Sequence, residues 1–386
     1  MSEHDWAVSE RDVLDAIGAV RAADGRAAVA TIVDVEGSAF RRPGAKMLVR
    51  EDGSSHGLIT AGCIEDEVMA LVQDVIDADE PRIETYDLME DDDVWGLGIG
   101  CNGIIDVLVE PLSASYDPLG SALEAREPVA VLTVLEGTAA DGSAIPCGTR
   151  AYLRDGEVEP VDEAFADWIA DGVVDPARSL LADGKATVLE VGEGDARARV
   201  FVDGLRPAPR LLVLGSGPDV GPVVDLGHKN GFRVDVVSFR GAVDVDERFP
   251  MADGTHSTTP ADLHDAVALD DETYAVVMTH NFIDDRLALE QLVDAEVPYV
   301  GLMGPRDRFE EMLEEFADEG RSFVDDELDR IYTPIGLNLG SGSPYGIATS
   351  ILAEVIAVHN DRPPVHLSER EGPIHDRPSV ESPAAE

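Results

Sequence analysis

Apolar and polar positions alternate between helical and strand periods along the first third of the chain. Val13, Leu14, Ile17 and Val20 recur at helical spacing and predict a helix over residues 9–24. The run from Ala27 to Val33 predicts a strand, and Ala45 to Arg50 a second. Asp52-Gly53 then turns the chain back through a predicted strand at His56 to Thr60, because Asp-Gly between two apolar runs signals a hairpin. Val68, Leu71, Val72 and Val75 restore helical spacing over Ile64 to Asp77. Strands are predicted at Arg82 to Asp87 and at Ile104 to Val109, the latter closing at Pro111.

The same pattern returns about a hundred residues later. Val129 to Thr138 matches Val29 to Ser38 in apolar spacing and in its Glu-Gly-hydroxyl ending, and an Asp155-Gly156 turn follows at the corresponding place. The expectation is a degenerate duplicate over residues 116–205 that completes the sheet of an N-terminal domain over 1–115. Two unrelated strand-turn-strand units with the same spacing are the plainer account. Arg206-Pro207-Ala208-Pro209 reads as a linker. Beyond it, strands at Arg210 to Leu214, Arg233 to Val237, Tyr274 to Thr279 and Pro298 to Met303 alternate with helical segments. That alternation predicts a Rossmann-like, doubly wound parallel sheet over 206–360. The fold class is therefore α/β, a mixed N-terminal domain with an internal repeat followed by a parallel C-terminal one. Residues 361–386, rich in Pro, Ser, Glu and Asp, read as a disordered acidic tail.

Composition narrows the setting. The chain of 386 residues carries a formal charge of −49 spread along its length, and lysine stands only at 46, 185 and 229. Carboxylates stay hydrated while salt screens their repulsion, so such a surface suits a salt-rich cytoplasm. An acidic face for a basic partner predicts clustered charge instead. Nucleic-acid binding is disfavoured, since phosphate contacts need a basic stripe. No apolar run is long enough for a membrane span, and the N-terminus lacks a secretory signal, so a cytoplasmic location is expected. Cys63, Cys101 and Cys147 stand far apart without a C-x-x-C pair, which argues against a disulfide framework and a structural zinc.

Three loops carry the candidate chemistry. Gly37-Ser38-Ala39-Phe40-Arg41-Arg42-Pro43-Gly44 sets two arginines between glycines, a way to clamp an anion or simply to pair with carboxylates. Gly57-Leu58-Ile59-Thr60-Ala61-Gly62-Cys63-Ile64-Glu65 places a thiol at the start of an acidic helix. The helix dipole lowers a thiol pKa there, and Glu65, Asp66 and Glu67 raise it. In Gly96-Leu97-Gly98-Ile99-Gly100-Cys101-Asn102-Gly103 a second thiol stands among glycines, in a tight turn or a ligand loop.

These stretches resemble the xanthine dehydrogenase accessory protein family (XdhC/CoxI), whose patterns are G-S-x-P-R-x-P-G, G-G-C-x-E and L-G-x-G-C-G-G. Phe40 departs from a proline, Ala61 from a glycine and Asn102 from a glycine, and none of these removes a reactive group. Arg41, not Arg42, falls on the family's arginine. The resemblance covers most of residues 10–358. It implies a maturation factor that binds molybdenum cofactor, holds it for sulfuration and delivers it to an apo molybdenum hydroxylase. A cysteine desulfurase would then be a second partner, and the family's apolar N-terminal faces are compatible with a homodimer. On that reading Gly37, Ser38, Arg41, Gly44, Gly62, Cys63, Glu65, Gly100, Cys101 and Gly103 contact the cargo. Cys63 and Cys101 would be the thiols toward the metal, since a soft metal favours sulfur. Glu65 would accept a hydrogen bond from a pterin-like amide, unless it is only a solvated helix carboxylate. Such a chaperone is a binder more than a catalyst, and no catalytic triad is evident.

The C-terminal half offers its own candidates at the carboxyl ends of its strands, where such sheets bind ligands. They are Gly215 and Gly217 in Gly215-Ser216-Gly217-Pro218-Asp219-Val220-Gly221, His280 after Thr279, Gly301 and Gly304, and Arg306. The glycine loop departs from G-x-G-x-x-G at Val220, and Ser238 with Arg240 stands where an NAD site has a carboxylate. This weakens NAD binding and leaves NADP, another nucleotide or a phosphate-only ligand open, with Asp219 placed to repel a pyrophosphate, and an NADP-dependent oxidoreductase is the alternative function. A nucleotidyltransferase would need an Ala-Gly-x-Ser-x-Arg-Met type loop near the start, which is absent, and a scaffold would touch the client without the cofactor. Asp284 and Asp285 near His280 are a weak metal candidate.

Overall fold

The computed structural model describes residues 4–88, 103–241, 244–369 and 371. Two compact units meet in sequence between Pro207 and Ala208.

The first unit opens with β1 (His4–Asp5) and α1 (Glu10–Ala22), followed by β2 (Ala27–Gly37), β3 (Lys46–Arg50), β4 (Ser55–His56), α2 (Glu65–Ala78), β5 (Arg82–Asp87) and β6 (Gly103–Pro111). Ser9 caps α1 reciprocally: its hydroxyl accepts from the Asp12 amide while Asp12 accepts from the Ser9 amide, which fixes where the helix starts. The strands form one sheet in the order β1-β4-β3-β2-β6-β5. The chain then repeats itself as α3 (Asp117–Ala125), β7 (Val129–Thr138), β8 (Ala144–Ile145), β9 (Arg150–Arg154), β10 (Glu157–Pro160), α4 (Asp167–Asp183), β11 (Ala186–Glu193) and β12 (Ala196–Leu205). Its sheet runs β10-β9-β7-β12-β11, with β8 hanging on β7.

Five strands of each order correspond, β4-β3-β2-β6-β5 to β10-β9-β7-β12-β11, so the duplicate is real, but it builds a second sheet of its own instead of completing the first. Its register also differs from the one the sequence suggests. A bulge falls at Val33 opposite Val107 and Asp106, and its counterpart falls at Leu135 opposite Val200 and Arg199. Val33 therefore matches Leu135 and not Thr133, and the shared Glu-Gly-hydroxyl ending is coincidence.

Strand alternation explains the layers. Ala28, Ala30 and Ile32 point to a core under α2, and Ala130, Leu132 and Val134 to a core under α4. The intervening residues Val29, Val33, Val131 and Leu135 face the space between the two sheets, which α1 and α3 help to fill. The apolar face of α1, with Val13, Leu14, Ile17 and Val20, is thus buried within one chain. One predicted element is shorter than expected. The strand returning from the hairpin ends at His56, because Gly57 takes φ +80 and a Cβ there would meet Val13 and the Lys46 carbonyl.

The second unit contains β13 (Arg210–Leu214), α5 (Val220–Lys229), β14 (Arg233–Ser238), α6 (Val245–Arg248), β15 (Gly254–Ser257), α7 (Leu263–Ala266), β16 (Thr273–Val277), α8 (Phe282–Asp294), β17 (Tyr299–Leu302), α9 (Arg306–Asp318), α10 (Asp325–Leu328), β18 (Ile331–Tyr332) and α11 (Pro344–His359). All strand pairs are parallel, in the order β15-β14-β13-β16-β17-β18. Alternate residues of each strand again go to opposite faces. Leu211, Val213, Val234 and Val276 pack with α5 and α11, and Leu212, Leu214, Ala275 and Val277 with α8 and α9. The strand order reverses between β13 and β16, where doubly wound sheets open a crevice.

Among the described residues, no helix is long and apolar enough to cross a membrane.

Candidate functional site

In the first unit, two of the three candidate loops rest on one apolar floor. Ala39 from the Gly37–Gly44 loop and Cys63 from the Gly57–Glu65 loop both pack against the core beneath α2. Gly37 and Gly103 are cross-strand partners on β2 and β6, and a Cβ at Gly103 would stand 2.6 Å from the Ser38 carbonyl. Gly103 thus lets the first loop fold down onto β6. Gly100 and Cys101 lie outside the described residues.

Above this floor Ser38, Phe40, Arg42 and Gly62 are exposed, while Arg41 and Cys63 are half-buried. Arg41 forms an ion pair with Glu10 in the first turn of α1. Gly44 closes the loop at φ +97, with its amide donating to the Ile32 carbonyl at 2.8 Å. A Cβ at Gly44 would crowd Asp203 and Ala186 of the second repeat at 3.2 and 3.3 Å.

Glu65 holds the second loop together. It is 2 % exposed, and its carboxylate accepts from the Thr60 amide at 2.7 Å, the Thr60 hydroxyl at 2.5 Å and the Ile64 amide at 3.3 Å. The Thr60 hydroxyl oxygen in turn accepts from the Cys63 amide at 3.1 Å. The carboxylate is thus neither solvated nor turned outward; through Thr60 it fixes the backbone that carries the thiol.

Sequence reasoning missed the charges buried between the two repeats. Lys46 on β3 pairs with Asp203 on β12 and donates to the Gly44 carbonyl at 2.9 Å. Arg150 on β9 reaches back to Glu110 on β6 at 2.6 and 2.8 Å. The two pairs are counterparts: Lys46 stands opposite Thr31 and Arg150 opposite Thr133, while Glu110 stands opposite Val29 and Asp203 opposite Val131. Each repeat gives a buried cation and a buried carboxylate to the other. The Arg150 guanidinium also lies 4.2 Å from the Tyr116 ring centroid, and the Tyr116 hydroxyl donates to Glu110 at 2.8 Å. The available signal was a rare lysine inside the apolar run Ala45 to Val49, echoed by an arginine at the start of the later strand.

In the second unit the candidates lie at the carboxyl ends of β13 and β16 and on or just after β17. Gly215 permits close strand packing, since a Cβ there would stand 2.7 Å from the Met278 carbonyl. A Cβ at Gly217 would clash with an Asp219 carboxylate oxygen. The other Asp219 oxygen meets His280 Nε2 at 2.7 Å, and His280 holds φ +59. Asp285 is buried beside them, accepting from the Thr279 hydroxyl at 2.5 Å and pairing with Arg308. Burial pushes its carboxyl above the usual range, while the Thr279 bond and Arg308 pull it back. Gly301 is buried under Ile335 on β17, Gly304 follows at φ +142, and Arg306 opens α9 in solvent. Asp284 and Asp285 do not join a metal cluster; among the described residues no three His, Cys, Asp or Glu side chains do.

Comparison with known proteins agrees with both halves. Residues 20–87 match the description "XdhC and CoxI family", and residues 211–355 match "XdhC Rossmann domain". The chain is 30 % identical over 335 residues to a protein of Bacillus subtilis described as a probable xanthine dehydrogenase subunit, covering 86 % of this chain and 92 % of that one. It is 21 % identical over 334 residues to the molybdenum cofactor insertion chaperone PaoD of Escherichia coli, covering 86 % and 83 %. A crystal structure described as a xanthine dehydrogenase from Bacillus halodurans superposes with a TM-score of 0.71 at 28 % identity, covering 91 % of this chain and 96 % of that chain.

Proposed function

The chain belongs to the XdhC and CoxI family, and from that premise we propose that it is a cytoplasmic maturation factor for a molybdenum hydroxylase of the xanthine or CO dehydrogenase type. It binds molybdenum cofactor on the first unit, holds it during sulfuration with sulfur from a cysteine desulfurase, and passes it to the apo-enzyme. One observation carries the reading. Both described candidate loops rest on the core beneath α2, so the half-buried Cys63 and Arg41 and the exposed Phe40 and Ser38 belong to one end of one sheet. A thiol suits a soft metal, arginine suits a phosphate, and loops closed by Gly37, Gly44, Gly62 and Gly103 leave room for a flat ligand. Cys101 and Gly100 would supply the third loop. Glu65 acts from below, by holding the Cys63 backbone. The relative named as an insertion chaperone supports cargo of this kind. A second copy, where one associates, uses surfaces other than the buried face of α1.

The test is cofactor retention. Protein incubated with molybdenum cofactor in molar potassium chloride is gel-filtered, oxidised and measured for pterin fluorescence, beside Cys63→Ala and Cys101→Ala. Retained pterin that either variant loses supports the carrier. No retention by folded protein removes it.

A second reading concerns the other unit alone. Ser238 and Arg240 at the end of β14 favour a nucleotide with an extra phosphate over NAD, as in an NADP-dependent oxidoreductase.

A further inference from the structure

In a chain with 78 acidic side chains and 29 Lys and Arg, arginines are expected to be claimed by carboxylates. In the second unit five are: Arg210 and Arg233 by Asp235, Arg286 by Glu315 and Glu319, Arg308 by Asp285, and Arg321 by Asp294. Arg240 and Arg248, like Arg330, are held instead by backbone carbonyls. Among the described residues their side-chain bonds go to backbone carbonyls, Arg248 to Ser216 at 2.5 Å and Arg240 to Thr279 at 3.4 Å. Ser216 follows β13 and Thr279 follows β16, so the two guanidiniums bracket the point where the strand order reverses. Carbonyl bonds orient a guanidinium without neutralising it, so both keep their charge for a ligand.

The same edge is closed to a dinucleotide pyrophosphate in its usual place. Asp219 already sets a carboxylate over Gly217 and is tethered there by His280. Ser238 has no exposed surface, and its hydroxyl both donates to the Arg240 carbonyl at 3.2 Å and accepts from the Arg240 amide at 3.1 Å. It therefore fixes the arginine and offers nothing to a ribose.

We propose that this crevice binds a phosphate monoester of a nucleotide, with Arg240 and Arg248 as its two anion ligands. The proposal rests on the second unit taking a nucleotide and is independent of cargo on the first. The test is calorimetric titration of the full chain with NADPH, NADH and AMP in potassium chloride. NADPH and AMP carry a phosphate monoester; NADH carries only the pyrophosphate. Binding of NADPH and AMP is expected with NADH at least tenfold weaker, and Arg240→Ala and Arg248→Ala should each weaken NADPH about tenfold, as loss of a charge-assisted bond predicts. Arg240→Lys and Arg248→Lys, which keep the charge, should recover part of that loss. Equal binding of NADH and NADPH overturns the monoester site while leaving a nucleotide site standing. Unchanged NADPH affinity in both alanine variants overturns the assignment of the arginines. Absence of binding by all three nucleotides removes the nucleotide reading itself.

Discussion

The two repeats of the first unit share a scaffold and differ in what they carry outward. Each contributes a cation from its second long strand and a carboxylate from its last strand, and each passes them to the other: Lys46 to Asp203, Arg150 to Glu110. Each has the same bulge at the same place, Val33 in one and Leu135 in the other. The loops are where they part. The first repeat carries Ser38, Arg41 and Cys63 between its elements, whereas the second fills the matching connections with the small strand β8 and with residues 161–166. The lesson is that the halves agree where they face each other and diverge where they face solvent. The scaffold is therefore one problem and the chemistry another, and they can be broken separately.

The largest effect should come from the shared part. Arg150 and Glu110 have side chains only 2 % and 8 % exposed, so Arg150→Met leaves a carboxylate buried alone. Such a loss costs about 3–5 kcal/mol, and a buried pair is screened little, so the cost should persist in molar salt. Lys46→Met should cost less, because Asp203 loses one amine, whereas Glu110 loses a guanidinium that bonds both of its oxygens. The double variant Arg150→Met/Glu110→Met should recover most of the stability. Denaturant titration of the three variants decides it. If the double variant is as unstable as Arg150→Met, charge pairing is not what joins the repeats.

How much of this was legible depends on range. The elements were readable because apolar period and Asp-Gly turns are local: Asp52-Gly53 and Asp155-Gly156 both sit at tight hairpins. The duplicate was readable as apolar spacing, but its register was not, because a bulge is a property of two strands and the sequence shows one. The partner of Lys46 lies more than 150 residues away, and nothing local distinguishes Asp203 from the many other carboxylates of this chain. Glu65 was visible as a residue type in the right place. Its role was hidden because it binds backward, to Thr60 and Ile64, and not outward.

That carboxylate gives the next effect in size, on the loop that only the first repeat possesses. Glu65→Gln keeps the shape but replaces a charged acceptor that serves three donors, and should cost about 1–3 kcal/mol by the penalty for disturbed buried hydrogen bonds. Amide exchange should quicken at Thr60, Cys63 and Ile64 while the second repeat stays unchanged. Pterin retention should fall although Cys63 is intact. Unchanged exchange at these three amides would mean the loop is held by packing on the α2 core instead.

The smallest effect should come from the second repeat's own thiol, which turns the comparison into a control. Cys147 lies in the loop before β9, next to Gly148, where a Cβ would stand 3.5 Å from a Glu110 oxygen. Burial first, and the Glu110 charge second, push its pKa up to about 11. An acid with a raised pKa stays protonated through neutral pH, and the thiolate is the reactive form. Alkylation of Cys147 in folded protein should therefore be slow at pH 8, rise about tenfold per pH unit as the thiolate fraction grows, and show no plateau below about pH 11. Cys147→Ala should leave pterin retention untouched where Cys63→Ala lowers it. A plateau near pH 8 to 9, the ordinary thiol range, would show that Glu110 and burial do not govern this site. Loss of pterin in Cys147→Ala would place cargo on both repeats and end the division between a chemical half and a structural one.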